Sequence, residues 1–520
     1  MKLFTVSTRL RRGLAALTVA LGLAVAAVPT STAAQSTATL NPASIDRFVH
    51  DYLQQTRLPG AVVAVTKGDR VVHTAGYGHT ASGQAMTPRT RLPVASLSKS
   101  MTALAVMQLV ETGKVDLDQP VHRYLPEFTM ADRRFEEITV RQLLTQTSGM
   151  ADSAYPDLTR AQPHTLEQAV AAMRQAHLAS TPGSKYSYHN PNYFVAARLV
   201  EVVSGRPFAD YMSAHLFEPL RMTRTTSVNS TTEMPDQARG YVRAYGGTFA
   251  RPHPRWFAAG GHGVVTTADD FAQWLIAQNH QGVSANGRRI ATAQTIKLTH
   301  TPPTAPKDSD YAMGWRVTPA EEGRPDGPQE IQHTGQLLTH NSMAVLLPDS
   351  EIGIAVVTNT GLIAGDDAPQ IAQGLIDLAQ GTSPEVAKPF SMTADWVLAA
   401  FTLLAVGLGI RGVLRAGRWA RHTVRRRWWS VALRLLPHAL PILFLVQLAS
   451  LLGLLMNRSG TLVQTAYAWP ALVIFAGAGA LASTAVVTAR ALALLRHRIG
   501  HRARHEAPSA KDEYQTTQPG

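Results

Sequence analysis

The residues best suited to chemistry in this chain are Ser96 and Lys99, within Leu92-Pro93-Val94-Ala95-Ser96-Leu97-Ser98-Lys99. Three positions along a helix make about one turn, so the lysine amine can reach the serine hydroxyl. A serine hydroxyl is almost never ionised at neutral pH and needs a neighbouring base to become a nucleophile. Lysine can be that base when burial or a nearby cation lowers its pKa. Ser-x-x-Lys alone also fits a surface serine and lysine at a helix start. The setting argues for chemistry. Small residues form a turn that opens a helix from Met101 to Glu111, and Leu104, Val106, Met107, Leu109 and Val110 would pin that helix in a core.

The surrounding pattern supplies the elements that must hold this pair. Asn41-Pro42 with Ile45, Phe48, Val49, Tyr52 and Leu53 predicts a capped amphipathic helix. Ala61 to Thr66 and Val71 to Tyr77, around Lys67-Gly68-Asp69-Arg70, predict a β-hairpin. Helical signals follow at Val140 to Thr145, Leu166 to Ala176, Tyr193 to Val203 and Phe208 to Leu216. Strand signals return at Gly263 to Thr266, before a helix capped by Thr267, and again at Tyr311 to Val317, Glu330 to His333, Ser342 to Leu347 and Ile352 to Asn359. A last helix is expected from about Ala368 to Gln380. Strands at both ends with helices between predict an α/β (α+β) fold. It consists of an antiparallel sheet flanked by helices, an all-helical insertion over about residues 114–250, and a cleft where the two meet. Loops at Arg239 to Trp256 and Thr301 to Asp310 would shape that cleft.

The two ends of the chain place this domain. Residues 1–34 carry Lys2, Arg9, Arg11 and Arg12, then an apolar run and small residues through Ala34, which predicts a secretory signal peptide. The absence of cysteine means that no disulfide supports the exported fold. Three apolar stretches at about 396–414, 435–456 and 469–488 are each long enough to cross a hydrocarbon core of roughly 30 Å. Arg415, Arg418, Arg421, Arg425, Arg426 and Arg427 follow the first, Arg490 to Arg504 follow the third, and the connection between the second and third holds only Arg458. The positive-inside rule then puts the arginine-rich loop and the tail, 496–520, in the cytoplasm and residues 35–390 outside it. The net charge of +13 is concentrated at the ends: residues 391–520 hold 15 basic against 4 acidic residues, whereas residues 35–390 hold 30 against 32. Basic residues that flank apolar spans point to lipid headgroups and argue against nucleic acid.

Two further stretches complete a pattern: Tyr188-His189-Asn190, before a helix, and His333-Thr334-Gly335, at the end of an expected strand. With Ser96 and Lys99 they resemble the three motifs of the serine β-lactamase and penicillin-binding-protein superfamily. The branch they resemble holds class C β-lactamases, D-alanyl-D-alanine carboxypeptidases, D-aminopeptidases and related esterases. Leu143 to Gly149, Pro219-Leu220-Arg221-Met222 and Ala259-Gly260-Gly261 fit that branch too, and the resemblance covers roughly residues 41–380.

The resemblance implies an acyl-enzyme on Ser96, with Lys99 and Tyr188 sharing the proton work. It implies that Asn190 holds the substrate amide and that His333, Thr334 and Gly335 line the opposite wall. The backbone N–H groups of Ser96 and Gln336 would form the oxyanion hole. His189 reads as a spacer. Histidine replaces the usual lysine at position 333, so peptidase or esterase activity is expected over efficient antibiotic hydrolysis. Gln146, where the family often has histidine, bears on local packing. The chain therefore reads as a membrane-anchored serine hydrolase facing away from the cytoplasm. It would act on D-amino-acid peptides or esters near the cell wall, with no cofactor and no metal. The alternatives are a β-lactamase, or a penicillin-recognising membrane sensor that is acylated without turnover.

Overall fold

The computed structural model describes residues 39–307, 309–318, 329–361 and 367–506. The expected signal peptide and the end of the expected tail lie outside these residues.

Helix α1 (Pro42–Thr56) opens the domain behind a capping box in which Asn41 and Ser44 satisfy each other's backbone N–H groups. Its buried stripe, Ile45, Phe48, Val49 and Tyr52, has the i, i+3, i+4, i+7 spacing of a single helical face. Strands β1 (Gly60–Lys67) and β2 (Arg70–Gly78) then form the expected hairpin. After the intervening helices come β3 (Arg316–Thr318), β4 (Glu330–Leu337), β5 (His340–Leu347) and β6 (Ile352–Thr358). These six strands make one antiparallel sheet in the order β2-β1-β6-β5-β4-β3. The pairing of β1 with β6, in which Ala61 faces Thr358 and Lys67 faces Ile352, joins the two ends of the domain.

Strands β5 and β6 are buried along their whole length, because helices cover both sheet faces. On one face α1 packs against the last helix of the domain, α5 (Asp367–Ala379). A Cβ at Gly374 of α5 would strike the Phe48 ring, so this glycine lets the two helices approach. On the other face lies α4 (Ala268–Asn279), capped by Thr267, and behind it α2 (Ser98–Glu111) crosses α3 (Pro191–Ser204).

The structure differs from the sequence reading in several places. The 114–250 segment also contains a hairpin, Gly240–Ala244 with Gly247–Arg251, where a loop was expected, and a two-residue strand at Thr226–Ser227. The helix expected to run to Ala176 ends at Ala171, and the one expected to run to Leu216 becomes a π turn after Met212. Strand β3 starts at Arg316, so Tyr311 contributes only an isolated bridge. Strand β4 runs on to Leu337, which puts His333-Thr334-Gly335 inside the strand.

The C-terminal part holds α6 (Phe390–Leu414), α7 (Ala439–Met456), the short α8 (Leu462–Ala468) and α9 (Pro470–Glu506). Phe390–Leu414, Trp428–Met456 and Pro470–Ile499 are long and apolar enough to cross a membrane. The arginine-rich connection is largely helical, with a helix at Ala416–Thr423. The C-terminal helices are tied to the sheet-bearing domain at the opposite end of α6. The Asp395 carboxylate accepts hydrogen bonds from the Tyr245 backbone N–H and the Trp469 indole N–H, both at 2.7 Å. Tyr467 of α8 donates to the Pro252 carbonyl and takes the Arg251 guanidinium over its ring.

The glycine at 335 governs how the sheet meets Ser96. A Cβ there would collide with the Ser342 hydroxyl and the Val94 carbonyl, which is the turn just before the serine. Gly335→Ala is expected to cost about 1–3 kcal/mol of stability, as overpacked sites do, and to slow covalent labelling of Ser96. Thermal unfolding and labelling kinetics of the full chain in detergent check this.

Candidate active site

Ser96 lies in a 3₁₀ turn, Ala95–Leu97, and the α-helix itself begins only at Ser98. The i, i+3 reach survives because a 3₁₀ turn has three residues per turn and brings such side chains together. Ala95 adopts φ +50°, a left-handed conformation that costs a non-glycine residue about 1–2 kcal/mol. Four hydrogen bonds hold the turn in place. Ser98 Oγ donates to the Ala95 carbonyl and accepts from the Val264 N–H, Ser342 Oγ donates to the Val94 carbonyl, and the Val94 N–H donates to the Val264 carbonyl.

Lys99 is fully buried, and its Nζ stands 3.0 Å from Ser96 Oγ. The amine donates to Asn190 Oδ1 at 3.1 Å and to the Gly261 carbonyl at 2.8 Å. Asn190 Nδ2 donates to the Asp157 carboxylate, which fixes the amide with its oxygen toward the lysine. Both partners of the amine are acceptors. A neutral amine has two N–H groups to give them and keeps one lone pair, which is directed at Ser96. Burial, then the positive charge of Arg458, lowers the Lys99 pKa well below its ordinary value, against the opposing effect of Asp157.

Tyr188 lies above this pair, with its ring centre 5.0 Å from Lys99 Nζ and its hydroxyl hydrogen-bonded to Ser96. Burial raises its pKa to about 12, although Ser96 and the charge of Arg458 oppose the rise, so it is a phenol at neutral pH. Gln146 holds this second motif in place: its Oε1 accepts from the His189 N–H at 2.9 Å and from Asn192 Nδ2 at 2.6 Å. His189, expected as a spacer, is buried, with Nδ1 3.8 Å from Asp157.

The third motif forms the facing wall. Strand β3 covers β4 only over Glu330–Gln332, so the edge from His333 to Leu337 is left for the Ser96 turn. Thr334 and Gln336 are exposed toward the cleft, while His333 and Gly335 alternate to the buried side. His333 Nδ1 donates to the Thr334 carbonyl, and its Nε2 lies 3.1 Å from the Tyr311 hydroxyl. Burial, then Lys99, lowers its pKa to about 3, so the ring is neutral at pH 7 and its Nε2 accepts from Tyr311.

Six of the eight predicted site residues, Ser96, Tyr188, Asn190, His333, Thr334 and Gln336, line a cleft of about 470 Å³, while Lys99 is buried behind Ser96 and Gly335 lies against the Ser96 turn. The structure also adds residues that sequence reasoning missed. Asp157 anchors Asn190 and faces Arg458 Nη2 at 3.5 Å. Tyr311 is buried between Tyr188 and His333. Arg316 pairs with Asp310 and donates to the Tyr186 hydroxyl. The one usable signal was Arg458, a lone charge between two apolar spans. Among the described residues, Asp152, Asp157 and His189 bring ligand-type atoms within 4.8 Å of one another, but Arg458 already supplies the cation there.

A serine activated by a buried lysine, at the edge of an antiparallel sheet packed between helices, defines the serine acyl-transfer hydrolases of the β-lactamase and penicillin-binding-protein kind. The family model for beta-lactamases matches residues 45–376, and the chain belongs to that family. It is similar to protein flp of Staphylococcus aureus (strain MW2), with 26% identity over 61% of this chain and 62% of that protein. It is also similar to a D-aminopeptidase of Brucella anthropi, with 32% identity over 49% of each chain. The chain therefore spans less than two thirds of the length of these relatives. Among solved structures it is similar to the octameric penicillin-binding protein homologue from Pyrococcus abyssi, with a TM-score of 0.56 and 25% identity over 69% of this chain and 81% of that one.

Gln146→Ala is expected to strand two buried donors, the His189 N–H and Asn192 Nδ2, and to cost about 2–4 kcal/mol. Chemical unfolding of the full chain in detergent measures this, and Gln146→Glu, which keeps an acceptor, should lose less.

Proposed function

We propose that the protein hydrolyses an ester or amide through an acyl-enzyme on Ser96, with Lys99 as the base. The observation that carries this is the buried Lys99 amine, held by Asn190 Oδ1 and the Gly261 carbonyl with its nitrogen 3.0 Å from the Ser96 oxygen. Ser96 Oγ attacks the substrate carbonyl while its proton passes to Lys99. The N–H groups of Ser96 and Gln336 stabilise the oxyanion. As the intermediate collapses, the Tyr188 phenol protonates the departing amine or alcohol and recovers a proton from Lys99. Water then attacks the acyl group with the same residues running in reverse, and Ser96 regains its proton. Asn190 holds the substrate amide, and Thr334 and Gly335 line the strand that the substrate follows.

The D-aminopeptidase relative supports D-amino-acid peptides or esters as the substrate class. A neutral His333 supports these over β-lactams, since β4 then offers no cation to a β-lactam carboxylate. Arg316 is already engaged by Asp310, and Arg458 by Asp157. The arginines at the cytoplasmic ends of the spans support a catalytic domain outside the cytoplasm, held at the cell membrane by three helices.

A fluorescent fluorophosphonate should label Ser96 alone, as mapped by peptide mass spectrometry, and Ser96→Ala should lose both label and turnover. Labelling elsewhere contradicts the assignment. The base must be neutral, so kcat/KM should be lost as pH falls through the lowered Lys99 pKa. Arg458→Gln removes a charge that lowers this pKa and should move the acid limb to higher pH. Asp157→Asn removes a charge that raises it and should move the limb to lower pH. Coincident limbs in all three proteins would show that neither charge acts on the base.

A further inference from the structure

The catalytic domain does not enclose its cleft alone. One wall comes from the end of the second apolar span and the connection that follows it: Ala449, Leu452, Gly453 and Met456 of α7, then Arg458 and Ser459. The four α7 residues follow i, i+3, i+4, i+7 spacing, so they form one stripe of the helix turned toward Ser96. Ala449, Leu452 and Gly453 of this stripe are half-buried, whereas Met456 at its end is exposed, as are Leu451, Leu454 and Leu455 on the other sides of the same turns, where lipid would lie.

This wall is fixed to the catalytic domain. The Ser459 N–H donates to Asp152, Gln464 donates to the Leu158 carbonyl at 2.8 Å, and Arg458 pairs with Asp157. From Met456 at the end of the span to Ala449 is seven residues, so the stripe that shares the cleft with Ser96 is about 10 Å long. A cleft that served only water-soluble peptides would gain nothing from a wall continuous with the hydrocarbon region.

We propose that the natural substrate is an amphiphile. Its hydrocarbon tail lies along the Ala449-Leu452-Met456 face of α7 in the outer leaflet, and its scissile ester or amide reaches Ser96 at the membrane surface. The proposal rests on the acyl-enzyme reading of Ser96 and on α7 crossing the membrane. The cleft then selects its substrate by lateral entry from the bilayer as well as by the polar wall of β4.

The test uses the full chain in phosphatidylcholine–phosphatidylglycerol nanodiscs and two pairs of probes. One pair varies the acyl side, 4-nitrophenyl acetate against 4-nitrophenyl dodecanoate. The other varies the leaving side, the methyl against the dodecyl ester of D-alanine. In at least one pair the long-chain member should show a kcat/KM at least tenfold higher. That ratio should collapse toward one in Leu452→Asp and in the bulk-adding Ala449→Trp, in whichever of these still labels at Ser96 with fluorophosphonate. A ratio near one in both pairs of the wild-type protein overturns the proposal. So does a ratio that stays high in the labelled variants, because partition of the probe into the bilayer would then explain it. Turnover that persists in Ser96→Ala would instead overturn the acyl-enzyme reading itself, which separates the two failures.

Discussion

The whole arrangement depends on keeping one amine uncharged in the interior. A buried ammonium would need three acceptors and compensating negative charge. Lys99 has three oxygens around it, Asn190 Oδ1, the Gly261 carbonyl and Ser96 Oγ, but its full burial and the charge of Arg458 outweigh that of Asp157 and disfavour charge on the amine. Each neighbouring element serves that condition. Helix α3 brings Asn190 at its start, and the Gly260-Gly261 turn brings a carbonyl. A Cβ at Gly260 would strike the Tyr193 carbonyl and the Ala197 side chain, so only glycine lets the turn approach α3. The Ser96 turn is seated on β4 through Gly335 for the same reason.

The electrostatic set around the amine crosses from one part of the molecule to another. Asp157, on an irregular segment of the catalytic domain, holds Asn190 with one oxygen and faces Arg458 from the connection between two apolar spans. Arg458 in turn disfavours charge on Lys99. The connection between the second and third apolar helices is thus coupled to the Lys99 amine, and removing these helices would change the site. Asp395, buried at the start of α6, reinforces the same junction from the other side.

Much of this was legible in the chain. Helical signals placed α1, α3 and α4 to within a few residues: α1 buries one regular stripe, while α3 and α4, buried on most sides, are marked by their apolar content and, for α4, by the Thr267 cap. Ser96 and Lys99 were found because their i, i+3 spacing is itself a signal, whereas Tyr188, Asn190 and His333 were found through the resemblance of their motifs to those of the family. Asp157 and Tyr311 carry no such mark, since what brings them to the site is the packing of short turns and loops against a finished sheet, and Arg316 opens strand β3 with nothing in its sequence setting to show that its side chain lines the cleft. The limits of β4 were missed because His333-Thr334-Gly335 is polar and small and lacks a strand's usual composition, although its pairing with β5 is regular. Arg458 was visible as an isolated charge, yet only the folded chain shows that it points into the cleft.

The state of Lys99 can be measured directly. The chain contains nine lysines, so labelling their ε carbons with ¹³C and assigning Lys99 by its loss in Lys99→Arg gives a tractable NMR titration in detergent. The account predicts one lysine resonance, that of Lys99, that titrates at a pH well below the rest. If the Lys99 resonance titrates with the others near the ordinary lysine value of about 10.4, the amine is not the base and the account fails.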